Sequence, residues 1–313
     1  MKPYQKTIIF FLSILILLFL PICTAETNET DAVNQIPYTG NGSGTLENPY
    51  QITSVEQLNE VRNHMNSSFI LMNDLDFAKA GITNWIPIGR EKELYEAFTG
   101  NFDGNNKTIY NMATHSPEDA NFGLFYQIAK GTVCNLNFEN ATVSFGEFYG
   151  GILTAMIGPD STVENCHISN SSVNGSPWCG ILSGHIHNST IRNCTVSNSV
   201  LNASAGGIIV SDNKGNVTDS HVDNCTLITA GGGGITGHNS YGGNVKNCSV
   251  TDTIIQTELS AGGISGSDWN GKIENCYSAN VTITAKEGDT PYGGAATLGG
   301  IVGNIRGSKI ENC

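Results

Sequence analysis

The residues with the reach to do chemistry are seven His, 28 acidic residues and nine Cys, and their spacing limits what they could do. His185 and His187 stand two apart, and His238 falls near the same edge but two coils on, roughly 10 Å away. No His-Glu-x-x-His run is present, and two His without a third ligand make a poor zinc site, so all three are expected to be surface polar residues. A polysaccharide-cleaving site needs acids gathered on one face, commonly as a pair. Asp103, Asp212, Asp219, Asp223 and Asp268 do not share a clear column of the repeat described below. Asn73-Asp74-Leu75-Asp76 offers oxygen ligands but lacks the full calcium-loop pattern, and reads as a strand-end turn. No Cys-x-x-Cys occurs, which disfavours zinc ribbons and redox motifs. The expectation is a chain with no catalytic, cofactor-binding or metal-ligating residue.

The elements that would carry these residues come from an internal repeat, which is best sought before local structure. The phrase aliphatic-x-Asn-Cys recurs at Val163–Cys166, Ile191–Cys194, Val245–Cys248, Ile273–Cys276 and Ile310–Cys313, with a degenerate copy at Val217–Ser220. A second phrase, Gly before an aliphatic residue, recurs with Gly123, Gly151, Gly180, Gly207, Gly234, Gly263 and Gly300. Both columns step by ~28 residues, with a longer last step that holds an insertion around Glu287–Ala296. Short period-2 runs such as Val281-Thr282-Ile283-Thr284 read as half-buried strands. A coil of such strands cannot bury its apolar face alone, but stacked coils can, at ~4.8 Å per coil. The predicted fold is therefore all-β: a right-handed, single-stranded parallel β-helix with ~28 residues per coil, a small α/β N-terminal cap and a preceding signal peptide.

Structural roles follow for the two columns. Val163 has one strand parity and Cys166 and Ile168 the other, so all three face inward only if the chain bends at Asn165. Asn and Asp tolerate the left-handed conformation such a bend needs. Asn165, Asn193, Asp219, Asn247, Asn275 and Asn312 are expected to stack as a ladder of side-chain hydrogen bonds. Cys166, Cys194, Cys248 and Cys276 are expected to be small buried fillers beside the bend. Cys166–Cys194 or Cys248–Cys276 could approach disulfide range, yet in-register parallel strands rarely give the S–S torsion, so free thiols are the expected state. The Gly column lets backbone bend or approach a neighbour closely. The outward column Glu164, Arg192, Thr218, Lys246, Glu274, Glu311 reads as a solvated face of surface pairs.

Lys2 and Lys6, an apolar run from Ile8 to Leu20, and Cys23-Thr24-Ala25 follow the order of a secretory signal. Cleavage after Ala25 removes two Lys and one Cys, leaving a net charge of −15 and eight Cys from the full chain's −13 and nine. No second apolar run is long enough to span a membrane. The acidic balance argues against nucleic-acid binding, which needs a basic surface. Export also exposes Asn-x-Ser/Thr triplets to glycan transfer, and the chain has 14 of them. Gly at 37, Asn at 35 and charged residues at 14% describe a secreted, turn-rich chain.

Gly233–Gly237, Gly262–Gly266 and Gly299–Gly303 read Gly-Gly-Ile-x-Gly and resemble the GLUG motif, a short repeat of bacterial and archaeal surface proteins. Trp85-Ile86-Pro87-Ile88-Gly89, Phe98–Asn105 and Asn121-Phe122-Gly123-Leu124-Phe125 resemble that family's lead-in and first repeat. Gly151–Ala155 and Gly207–Val210 lack the final Gly, so those coils are expected to bend differently. The lead-in contains a helix signal: Ser54 with Gln57 forms a capping box, and Val55, Leu58, Val61 and Met65 share a face. The expected divisions are 1–25 signal peptide, 26–40 linker, 41–98 N-terminal cap and 99–313 repeats. From the stop at Cys313, inside a repeat phrase, the array is expected to continue. The resemblance implies an exported surface protein, adhesin-like or structural, with no catalysis of its own. Its partner would be an unidentified surface glycan or protein, and a polysaccharide-active lyase or hydrolase is the alternative.

Overall fold

The computed structural model describes residues 36–91, 94–286 and 296–313. The signal segment, residues 26–35 of the linker and nearly all of the Glu287–Ala296 insertion lie outside the described residues. From Pro37 to Cys313 the chain is one compact unit, a parallel β-solenoid of about six turns with ~28 residues per coil.

One coil shows how sequence makes shape. Strand Thr162–Glu164 ends at Asn165, strand His167–Ser169 ends at Asn170, strand Ser172–Gly180 ends at the Ile181-Leu182 corner, and strand Ser183–Arg192 opens the next coil. Asn165 and Asn170 hold φ of 53° and 50°. Each bend breaks the strand alternation by one residue, so Val163, Cys166 and Ile168 all point inward and are buried. Parallel pairing then stacks like on like. Val133, Val163, Ile191, Val217, Val245, Ile273 and Ile310 form one inward column. Phe138, Ile168, Val196, Val222 and Val250 form a second, and Val143, Val173, Leu201, Leu227 and Ile255 a third.

The bend residues are tied together. Asn193 Nδ2 donates to Asn165 Oδ1 at 2.8 Å, Asn165 to Asn135 at 3.0 Å, and Asn135 to Asp103 at 2.9 Å. A second run has Asn312 donating to Asn275, Asn275 to Asn247 and Asn247 to Asp219, at 3.1, 3.2 and 2.9 Å. Every Asn donates towards the preceding coil. Asp219 has no N–H to pass on, so the expected single ladder is two ladders, each ending on a carboxylate. Another bend column lies five residues on: Asn170, Asn198, Asn224, Asp252 and Asn280 also have positive φ. There Asn224 donates to Asn198 and Asn280 to Asp252.

The residue after each bend is more than filler. Cys166, Cys194, Cys248 and Cys276 each direct Sγ at the carbonyl two residues back, at 3.4, 3.3, 3.2 and 3.3 Å. Ser220, Ser199 and Thr253 do the same through oxygen. In the same positions Ser220 Oγ accepts the Cys194 N–H and Cys276 Sγ accepts the Cys248 N–H, from the coil before. The bend frees backbone groups in the core, and a small side chain with a hydrogen-bonding tip satisfies them. Cys is used there as a longer Ser.

The glycine column also differs from expectation. Gly180 and Gly207 pair with Gly233, Gly262 and Gly299. Gly234, Gly263 and Gly300 sit one place further on, where earlier coils carry Ile152, Ile181 and Ile208. Aligning the phrases on the aliphatic residue merged two structural positions. Close approach, not turn geometry, demands glycine here: a Cβ on Gly207 would lie 2.2 Å from the Val210 carbonyl oxygen, and one on Gly234 2.4 Å from that of Gly263.

The lead-in joins the same ladder. Strand Tyr50–Ile52 pairs in parallel with Ser68–Leu71, which pairs with Asn101–Tyr110, so stacking begins before residue 99. Between the first two lies helix Val55–Glu60, with Ser54 Oγ accepting the Gln57 N–H. The return bond from Gln57 reaches the Thr53 N–H at 2.7 Å rather than that of Ser54. Val55, Leu58 and Val61 are buried and Met65 partly so. Phe69, Phe98, Phe102 and Phe125 fill the first coils, where later coils use Ile and Val.

Alanine at a bend must adopt the left-handed conformation, at ~1–2 kcal/mol, and loses ladder bonds worth about 1 kcal/mol each. Asn247→Ala is expected to cost ~2–4 kcal/mol in urea unfolding, whereas Cys248→Ser, which keeps both hydrogen bonds, should stay within about 1 kcal/mol of the parent. Equal losses for the two would contradict the separate roles of bend residue and neighbouring thiol.

Candidate functional site

Two surface regions combine polar side chains from several coils. The first is a groove of about 610 Å³ on the sheet built from strands Ser172–Gly180, Val200–Gly207, Thr226–Gly233, Ile254–Gly262 and Thr282–Ala285. Asn202, Ile228, Gln256 and Thr284 lie in register and face outward from it. The strands lose register between Thr229 and Gly231, and Thr229 Oγ1 both accepts the Gly231 N–H and donates to its carbonyl. Such bulges bend a sheet, and the bend gives the groove a wall. Glu258 and Lys286 line it and pair at 3.2 Å. This lining can hydrogen-bond and pack; it holds no pair of acids.

The second region is a network centred on Asp212. His185, Asp212 and His238 are Cα partners on successive coils, so the column absent from the linear sequence exists in the stack. His185 Nδ1 lies 3.1 Å and Lys214 Nζ 2.9 Å from Asp212 Oδ2, with His238 Nδ1 3.7 Å from Oδ1. The carboxylate only accepts, so the His185 proton sits on Nδ1. Burial alone would raise the Asp212 carboxyl, but His185, His238 and Lys214 outweigh it and hold it well below the usual carboxylate range. Tyr149 packs on His185 at 5.3 Å and Trp269 meets His238 edge-on at 4.8 Å. These neighbours leave Asp212 only 5% exposed at an outward strand position. His185 is likewise buried and His238 mostly covered; neither is the surface residue expected from spacing, and only His187 is exposed. Just beneath, Asn213 donates to Asn239 and Asn239 to Asp268, both at 2.8 Å and all fully buried.

Other sequence expectations resolve locally. In the outward column Arg192 pairs with Glu164, and Lys246 and Lys272 both reach Glu274. Asp74 accepts the Thr108 N–H, and Asp76 accepts those of Ala78 and Lys79 and the Asn111 amide, so these carboxylates fasten turns. The eight described Cys are free thiols, and burial pushes Cys134 and Cys225 up to about 11. Among the described residues no three His, Cys, Asp or Glu side chains gather as a metal site. No described helix is long and apolar enough to cross a membrane.

Similarity to known proteins fits this geometry. The family model described as the GLUG motif matches residues 229–255, which form a groove strand, its Gly-Gly-Ile corner and the start of the next coil. Halomucin of Haloquadratum walsbyi is 32% identical over 134 residues, 40% of this chain and 1% of that protein. A provisionally named Gly-rich membrane protein of Evansella cellulosilytica is 33% identical over 102 residues, 31% of this chain and 12% of that protein. The chain thus spans a small part of these curated relatives. Among solved structures, a protein of Bacteroides ovatus provisionally described as an immunoglobulin A1 protease superposes with a TM-score of 0.59 at 23% identity, covering 86% of each chain. A structure described as an IgA1 protease gives the same TM-score at 16% identity, over 80% of this chain and 20% of that one. At these identities the likeness is one of fold.

Replacing Asp212 by Asn leaves the half-buried Lys214 without its counter-charge and the buried His185 Nδ1–H without its charged acceptor, at ~2–4 kcal/mol. The folded carboxyl titrates below its unfolded value of about 3.9, so its contribution is complete above that pH and is lost as pH falls further. Thermal melts should place Asp212→Asn well below the parent at pH 7, with the gap narrowing below about pH 4. A pH-independent gap would remove Asp212 from the network's electrostatics.

Proposed function

We propose that this GLUG-repeat solenoid is an exported cell-surface protein that works as an adhesin-like binding module without catalysis of its own. Stacked coils make a stiff support, and the open groove on the outward sheet supplies the contact surface. The observation that carries this reading is the groove lining: in-register Asn202, Ile228, Gln256 and Thr284, with its one acid, Glu258, paired to Lys286. Amide and hydroxyl groups beside an apolar side chain suit the mixed face of a glycan or an extended peptide. A cell-surface setting draws support from the resemblance to halomucin and to a Gly-rich membrane protein, and from the signal-like N-terminus.

The rival is a polysaccharide-active enzyme, and the titratable groups around Asp212 are the observation that favours it. A glycan and cell-surface binding panel, run with the parent and Ile228→Arg, separates the two. The binding reading expects retained ligand without product, and a loss of about tenfold or more in affinity when the groove floor carries Arg. Product formation from any polysaccharide, abolished by Asp212→Asn, would overturn it.

A further inference from the structure

Independent of the groove, a strip that flanks the Asp212 network, and shares Lys214 and Trp269 with it, presents side chains outward. The chain has only 15 Lys and Arg in 313 residues, yet successive coils here present His187, Lys214, Tyr241, Trp269 and Arg306. His187 pairs in register with Lys214 and Trp269 with Arg306. Tyr241 lies one residue past the buried Ser240, the register partner of Trp269, and its N–H donates to the Trp269 carbonyl at 3.1 Å. Four coil steps of ~4.8 Å make a strip ~19 Å long, parallel to the solenoid axis.

Three properties set the strip apart from a solvated face. Tyr241 is 73% and Trp269 39% exposed, on adjacent coils of a surface otherwise rich in Ser, Thr and Asn. Tyr241 also holds φ at 48°, a left-handed conformation that the repeated bends assign to Asn and Asp; for an aromatic residue it is strained. Lys214 Nζ stands 5.9 Å from the centroid of that ring, and Arg306 is exposed. The carboxylate in the region, Asp212, is nearly covered and bonded to His185 and Lys214. Asp268 is fully covered and bonded to Asn239 and the Gly271 N–H. Neither acid is presented outward.

Flat aromatic rings with apolar bodies give a stacking surface. A guanidinium fork and an ammonium at the same strip give donors matched to carboxylates. We propose that the strip His187–Lys214–Tyr241–Trp269–Arg306 binds a linear, carboxylate-bearing polysaccharide laid along the solenoid axis. Sugar rings rest on Tyr241 and Trp269, and acid groups reach Arg306 and Lys214.

The test uses the full chain with polygalacturonate, its neutral methyl ester and dextran sulfate as probes, read by calorimetry or interferometry at physiological salt. Polygalacturonate is expected to bind, with the methyl ester at least about tenfold weaker. Trp269→Ala and Arg306→Gln should each weaken binding about tenfold. Arg306 is exposed, so its variant keeps the fold even if Trp269→Ala disturbs its coil. Failure of polygalacturonate to bind, equal binding of acid and ester, or unchanged affinity in Arg306→Gln would overturn the proposal. So would dextran sulfate binding as tightly, which would reduce the site to bulk electrostatics.

Discussion

A left-handed backbone bend, occupied by Asn or Asp and repeated once per coil in each of two columns, governs how this chain can pack. A strand alternates its side chains, and one extra residue at φ near 50° resets the alternation. Without that reset, Val163, Cys166 and Ile168 could not all be interior. With it, three inward columns of Val, Ile, Leu and Phe stack at the strand spacing, and burial supplies the stabilisation. The bend has a cost, since it strips backbone groups of strand partners inside the core. The molecule meets it with side-chain amides running between coils and with Cys, Ser or Thr tips satisfying the groups beside each bend.

The same constraint explains why the surface can vary. Once bends and inward columns are fixed, outward positions are free of packing demands. One outward column holds Glu, Arg and Lys in paired charges. Another holds Asn202, Ile228, Gln256 and Thr284 beside a bulge that makes a groove. A third holds His185, Asp212 and His238, closed over by aromatic rings. Each is a line of residues about 28 apart in sequence and one strand apart in space, so any ligand contacting one coil meets the neighbouring ones as well. Extended partners suit such a surface better than compact ones.

Much of this was legible in the chain. The repeated aliphatic-x-Asn-Cys phrase carried period, parity change and bend, because a bend forced by parity leaves a residue-type signature. The Asn column could be numbered residue by residue. Its break at Asp219 was also visible in principle, since an Asp cannot donate. The second bend column carries no single phrase, because Asn170, Asn198, Asn224, Asp252 and Asn280 are followed by Ser, Ser, Cys, Thr and Val rather than by a uniform Cys. The glycine column was misregistered by one place, because Gly and Ile exchange at the corner and composition alone does not say which backbone is crowded.

Local pattern was enough to specify the solenoid, its period and the identity of its first bends, since each is enforced in every coil. Which outward residues meet was settled by stacking alone. His185, Asp212 and His238 are separated by 27 and 26 residues, with corners and bulges of unequal length between them; counting along the chain puts the two His near one edge but does not place Asp212 between them. The folded stack does, because ladder hydrogen bonds absorb those inequalities in the corners and restore register in the strands. Burial followed from the same cause: rings contributed by other coils covered an aspartate that strand parity alone would have left in water.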